Sequence, residues 1–228
     1  MIKNNSVLNN LKIVKQEIRN ITKFAKVSEK TINLVAVSKT VEAKLICEAA
    51  ESGQISFGEN KVQEAKLKWP KIKMLYPKTV LHMIGPLQSN KAKDAIKIFD
   101  IIETVDREKI AVELKKYMDR YKLYPDLYVQ INIGEEKQKN GCMPAQAKTF
   151  INDCKSYGVV IKGVMAIPPI DEEPAPYFAL LSNIAKESNL KSISMGMSKD
   201  FEKAIYLGAT SVRIGSKIFG ERKDNIQK

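Results

Sequence analysis

A lysine that ends an apolar strand is the first place where this sequence offers chemistry. Leu34-Val35-Ala36-Val37-Ser38-Lys39-Thr40 passes from an apolar run straight into Lys39, and strand alternation puts Val35, Val37 and Lys39 on one face. If that face points into a closed sheet, the ammonium sits at its mouth. Partial desolvation there favours the neutral amine, the form that attacks an aldehyde. The plainer alternative is a surface lysine that marks the end of the strand. Two loops could hold an anion. In Ser194-Met195-Gly196-Met197-Ser198-Lys199-Asp200, Gly196 permits a tight turn, and Ser198 serves as a helix N-cap or donates to a phosphate oxygen. Arg213-Ile214-Gly215-Ser216 repeats the device, with Gly215 allowing close backbone approach and Ser216 supplying a hydroxyl. Arg213 shares parity with Ser211 and Gly215, which turns it inward. A buried arginine needs a partner; a ring nitrogen, a phosphate or a carboxylate such as Glu103 would serve.

Other residues point less sharply. Phe57-Gly58-Glu59-Asn60 reads as a strand that ends in a turn glycine and a polar pair. His82 is the only histidine; flanked on its face by Val80 and Ile84, it reads more readily as a satisfied core residue than as a catalytic base. Cys47, Cys142 and Cys154 are widely spaced and form no C-x-x-C pair, so no metal set is expected. No Ser-His-Asp arrangement can be nominated.

These residues must be positioned by the elements around them. Strands are expected at Leu34 to Ser38, Ile55 to Phe57, Val80 to Ile84, Ile101 to Val105, Leu127 to Ile133, Val160 to Met165, Ser192 to Met195 and Ser211 to Ile214. Between them, helical patterns cover Ala43 to Glu51, Val62 to Lys71, Lys91 to Ile98, Arg107 to Tyr121, Ala145 to Tyr157, Ala175 to Glu187 and Lys199 to Leu207. An extra N-terminal helix, Leu8 to Ala25, carries Leu8, Leu11, Val14, Ile18 and Ile21 at helical spacing. Eight βα units fit one closed α/β barrel, a (β/α)8 or TIM barrel, better than an open sheet. Its active site would gather at the C-terminal strand ends, with phosphate after strands seven and eight. No linker or repeat divides residues 1–228, which are expected to form a single domain.

The balance of 38 Lys+Arg against 26 Asp+Glu gives a net charge of +12. The lysines are dispersed, which suits a solvated surface better than a nucleic-acid or protein-binding face. Residues Met1 to Asn10 lack the apolar stretch of a signal peptide, and no run reaches the roughly 20 apolar residues that cross a bilayer. A soluble cytoplasmic protein is expected, with no membrane partner.

Taken together, the segments Ala36 to Thr40, Phe57 to Asn60, His82 to Lys91, Gly163 to Pro168, Ser194 to Ser198 and Arg213 to Gly220 resemble the YggS/PROSC family, the pyridoxal phosphate homeostasis proteins. The resemblance spans nearly the whole chain. It implies the barrel of fold type III pyridoxal 5′-phosphate (PLP) proteins, similar to the N-terminal barrel of alanine racemase. It also implies PLP held as a Schiff base on Lys39. Gly196, Met197, Ser198, Gly215 and Ser216 would take the phosphate. Arg213 would lie near the pyridine nitrogen, and Asn60, His82 and Met165 would line the ring pocket. One departure is that Lys139-Asn140-Gly141 stands where relatives often carry a small hydroxyl residue between lysine and glycine, which puts contacts from that loop in doubt. The resembling racemases draw a second base from a further C-terminal domain, and this sequence ends at Lys228. The expectation is therefore a monomer that stores PLP or delivers it to apo-enzymes through transient contacts, with no catalytic residue assigned. A low-activity PLP-dependent amino-acid racemase or lyase is the alternative.

Overall fold

Apolar runs that alternate with amphipathic ones can bury both faces of a parallel sheet only by wrapping it in helices, and this chain does so. The computed structural model describes residues 6–28 and 32–220. Residues 1–5, part of the segment read for a signal peptide, and residues 221–228, at the end of the chain, lie outside them. Among the described residues the strands are β1 (Asn33–Val37), β2 (Ser56–Glu59), β3 (Val80–Met83), β4 (Ile101–Val105), β5 (Asp126–Ile131), β6 (Ile161–Ala166), β7 (Ser192–Ser194) and β8 (Ser211–Ile214). They pair in parallel in sequence order, and β8 closes on β1 with Val35 opposite Arg213 and Ala36 opposite Ile214. The closed (β/α)8 barrel expected from the sequence is therefore the fold.

Helix α1 (Val7–Phe24) precedes β1. The helices that follow the strands are α2 (Ala43–Glu51), α3 (Val62–Leu75), α4 (Ala92–Ile98), α5 (Glu108–Tyr121), α6 (Ala147–Ser156), α7 (Ala175–Glu187), α8 (Phe201–Tyr206) and a short α9 (Ser216–Phe219) after β8. Outward-facing Ala36, Phe57, Leu81, Ile102, Val129, Val164 and Val212 are all fully buried in the layer beneath the helices. The inward positions fill the barrel. A Cβ on Gly58 would lie 2.9 Å from Ile84 Cδ1 and 3.1 Å from Val35 Cγ1, so glycine here makes room for two branched side chains.

Three expectations are corrected, and one helix is added. Strand β2 runs to Glu59, so Gly58 is a strand residue and not a turn glycine, and Glu59 is buried instead of standing at the mouth. Helix α3 continues past Lys71 to Leu75 across Pro70, because Trp69 and Ile72 are both buried and hold the helix on either side of the missing N–H. The inner stripe of α1 begins at Val7, while Leu8 is exposed. Helix α9 was not foreseen. Its backbone is tied to α1 by Asn10 Nδ2, which donates to Ile218 O at 2.9 Å.

Candidate functional site at the barrel mouth

The C-terminal ends of the strands open into a cleft of about 260 Å³. Lys39 and Asn60 line it, with Ile84, Gly85 and Pro86 after β3, Gln130, Ile131 and Asn132 at the end of β5, and Ile167 after β6. Lys39 is half-buried. After Asn33, strand β1 is apolar on both faces, so the next polar residue with inward parity, Lys39, emerges at the mouth. The loop after β5 closes the far wall through Gln138, Lys139 and Asn140. Asn132 holds that loop: its amide donates to Glu136 O at 2.8 Å and accepts from Glu136 N. Sequence reasoning left the contacts of Lys139 and Asn140 in doubt and missed Gln130, Asn132 and Gln138, which join them only once the loop has folded back.

On the other side of Lys39 the two anion-competent loops meet. Gly215 follows Ile214 beside β1, and a Cβ on it would come within 3.3 Å of Val37 O. Ser216 Oγ donates to Ser198 Oγ at 3.3 Å, which brings the two hydroxyls together. Gly196 is buried at φ +89°, and a Cβ there would stand 2.5 Å from that of Ala204. Its carbonyl accepts from Arg213 N at 2.9 Å, so the loop after β7 is fixed to β8. Ser198 is not the N-cap: Asp200 takes that position before α8. Asp200 Oδ1 also accepts the Met197 N–H, so an anion at this loop would meet the Ser198 hydroxyl and not the Met197 amide.

His82, Met165 and Arg213 lie deeper. His82 and Met165 each sit two residues before a residue that lines the cleft, Ile84 and Ile167, and so occupy the next inward layer. Both are buried. His82 Nδ1 donates to Glu103 Oε1 at 2.7 Å, and Ser194 Oγ donates to Glu103 Oε2 at 2.6 Å. Arg213 Nη1 donates to Ser194 Oγ and stands 3.6 Å from Glu103 Oε2, while its Nη2 donates to Ala166 O at 2.8 Å. The carboxylate reading of Arg213's partner thus holds, the direct ion pair to Glu103 being joined by a second link through Ser194. Full burial pushes the Glu103 carboxyl up, but the His82 hydrogen bond and charge, Arg213 and Ser194 together hold it below the ordinary carboxylate range. Glu103 is therefore an acceptor at both oxygens, which makes His82 Nδ1 a donor. Burial lowers Arg213 against the attraction of Glu103 and Asp200, yet a guanidinium starts so far above neutrality that it keeps its charge. His82 Nε2 is buried with no hydrogen-bond partner, a polar atom that a ligand could satisfy.

Among the described residues no group of three or more His, Cys, Asp or Glu side chains could hold a metal ion, and no helix is long and apolar enough to cross a membrane.

Known proteins fit this geometry. The family described as "Alanine racemase, N-terminal domain" matches residues 12–223. The pyridoxal phosphate homeostasis protein of Pasteurella multocida (strain Pm70) is 36% identical over 227 residues, covering 93% of this chain and 96% of that protein. PipY of Synechococcus elongatus PCC7942 superposes with a TM-score of 0.80 at 33% identity without PLP, and of 0.76 at 32% identity with PLP bound. Each comparison covers 89% of this chain and 99% of PipY. The alanine racemase of Clostridium difficile 630 shares the fold, with a TM-score of 0.72 at 15% identity over 97% of this chain and 58% of the racemase. The barrel and the family match agree: the chain belongs to the alanine racemase N-terminal domain family and, within it, to the pyridoxal phosphate homeostasis proteins.

Proposed function

We propose that this protein binds PLP at the mouth of its barrel, with Lys39 as the covalent anchor, and serves PLP homeostasis by retaining the cofactor and releasing it to apo-enzymes. The observation that carries this reading is the placement of Lys39 on the cleft wall, next to a seam where Ser198 and Ser216 bring two hydroxyls together. An aldehyde beside that amine and a phosphate beside those hydroxyls match the two ends of one small molecule. Gly196, Met197 and Gly215 shape the phosphate side, and Asn60, His82 and Met165 the ring side. The buried, unpartnered Nε2 of His82 suits a ligand that carries polar substituents on its ring.

When bound, PLP supplies an electrophilic aldehyde and a pyridine ring able to draw electrons. The protein's own residues set how far that ability is used. Arg213 is buried and charged, and a cation on that side of the site disfavours a second positive charge on the ring nitrogen. Such a site suits holding the cofactor more than turning over an amino acid. The free thiols of Cys47, Cys142 and Cys154 suit a reducing compartment, and we place the protein in the cytoplasm as a monomer with passing contacts to its client enzymes.

The test is spectroscopic. Purified protein loaded with PLP should absorb in the visible, and borohydride reduction should fix a pyridoxyl group on Lys39, located by mass spectrometry. Lys39→Ala should lose that absorption, and an unchanged spectrum would refute the anchor. Steady turnover of any amino acid by the holoprotein, lost in Lys39→Ala, would favour a weak racemase or lyase instead.

A further inference from the structure

Behind Lys39, on the helix side of the sheet, lies a charged cluster that takes no part in the cleft. Lys68 of α3 places its ammonium 2.8 Å from Glu59 Oε1, 2.8 Å from Glu64 Oε1, 2.8 Å from Ser38 O and 3.4 Å from Val41 O. Its side chain is only 12% exposed. Glu59 Oε1 also accepts from Ser38 Oγ at 2.6 Å and from Trp69 Nε1 at 3.0 Å. Glu64 Oε1 accepts from Thr40 N at 2.7 Å. Thr40 sits at φ +62°, a left-handed conformation that a β-branched residue keeps only when its surroundings hold it there.

The contacts converge on one short turn. Ser38, Thr40 and Val41 are gripped from behind, and Lys39, between them, faces the cleft. A seam between β2 and α3 could be filled with hydrocarbon at less cost, because burying an ammonium and a carboxylate sacrifices hydration that the pair only partly restores. Glu59 Oε2 is even left buried without a partner. What the cluster adds over hydrocarbon is direction, since an ammonium with several acceptors fixes the carbonyls it bonds. We infer that Lys68, with Glu59 and Glu64, is a positioning device for Lys39: it locks the turn that aims the amine into the mouth, and cofactor retention depends on it although it lines no part of the cleft.

This inference rests on the PLP reading above, and the experiment separates the two. Lys68→Met, Lys68→Arg and Glu64→Ala are compared with the parent by PLP titration followed in the visible, by borohydride fixation at Lys39 and by far-UV circular dichroism. Lys68→Met and Glu64→Ala should keep the fold, weaken PLP retention at least tenfold and shift the visible band, while Lys68→Arg restores most of the affinity. Retention within twofold of the parent in folded Lys68→Met, or no recovery in Lys68→Arg, overturns the inference. If Lys68→Met does not fold, Glu64→Ala decides on the same criterion. If the parent itself carries no pyridoxyl group on Lys39, the PLP reading fails on its own. The positioning is then read from the rate at which a small amine-directed acylating reagent modifies Lys39: a fivefold or larger change in the variants supports it, and equal rates overturn it.

Discussion

Glu103 is the residue on which the interior of the barrel is balanced. It accepts from His82 and Ser194 and neutralises Arg213, and it is fully buried. Removing one partner of such a set leaves the other charge uncompensated, so Glu103→Gln should lower stability by about 3–5 kcal/mol, read by chemical denaturation at neutral pH. The pH dependence follows from the direction of the shift. The folded-state value of Glu103 lies below its ordinary 4.5, so its contribution is fully present above that pH and is lost as pH falls through the folded value. Denaturation curves measured downward from neutral pH should therefore show an acid loss in the parent that is shallower in Glu103→Gln. Glu59 acts in the opposite sense, because burial raises it despite Lys68, Ser38 and Trp69. Parity along one strand was enough to turn Arg213 inward, and the need of a buried arginine for a partner raised Glu103 as one of several candidates. Parity could not supply Ser194 or His82 as the links, because which residues meet across a barrel depends on how far neighbouring strands are staggered. Glu59 was misplaced for the same kind of reason: a carboxylate beside a glycine reads as a loop, and only the Lys68 and Trp69 side chains of a later helix explain its burial.

At the scale of elements, the loop between β7 and α8 is set by one glycine. Gly196 has φ +89° and packs against Ala204 and Phe201. Gly196→Ala would meet both left-handed strain and a close contact, and should cost about 2–4 kcal/mol. Because the same loop carries Ser198, the variant should also lose the preference for PLP over pyridoxal, which titration with both compounds measures. The alternation of short β-branched runs with amphipathic ones made the strands and most helices legible, since burial on both faces of a strand and one face of a helix leaves different periods. The departures have local causes. Helix α3 outlasts its proline because two buried side chains flank it. Strand β2 begins one residue late, where exposed Ile55 gives way to buried Ser56 and Phe57. Helix α9 is too short for periodicity to register, and its backbone is held by Asn10 from the far end of the sequence.

Across the whole molecule, closure of β8 on β1 makes the barrel one continuous sheet. Trp69, the sole tryptophan, is fully buried and packs on Phe57 with ring centroids 5.3 Å apart. Its emission should be blue-shifted in the folded protein and should change with denaturant in step with far-UV circular dichroism. Separate midpoints would mean that the barrel opens in parts. Because Trp69 also bonds Glu59 behind the Lys39 turn, a visible chromophore on Lys39 should quench it by energy transfer. The β8–β1 seam joins the earliest and the latest strands of the barrel to be synthesised. Val35 pairs with Arg213, so the proposed anchor is among the first parts of the barrel to leave the ribosome and the hydroxyl of Ser216 among the last. A growing chain has no phosphate side beside its lysine, and Lys39 is then an ordinary amine. On the proposed assignment of Lys39 and Ser216, PLP capture is expected only after translation has passed the final strand, which pulse-labelled truncated chains tested for borohydride-fixed pyridoxyl groups would check.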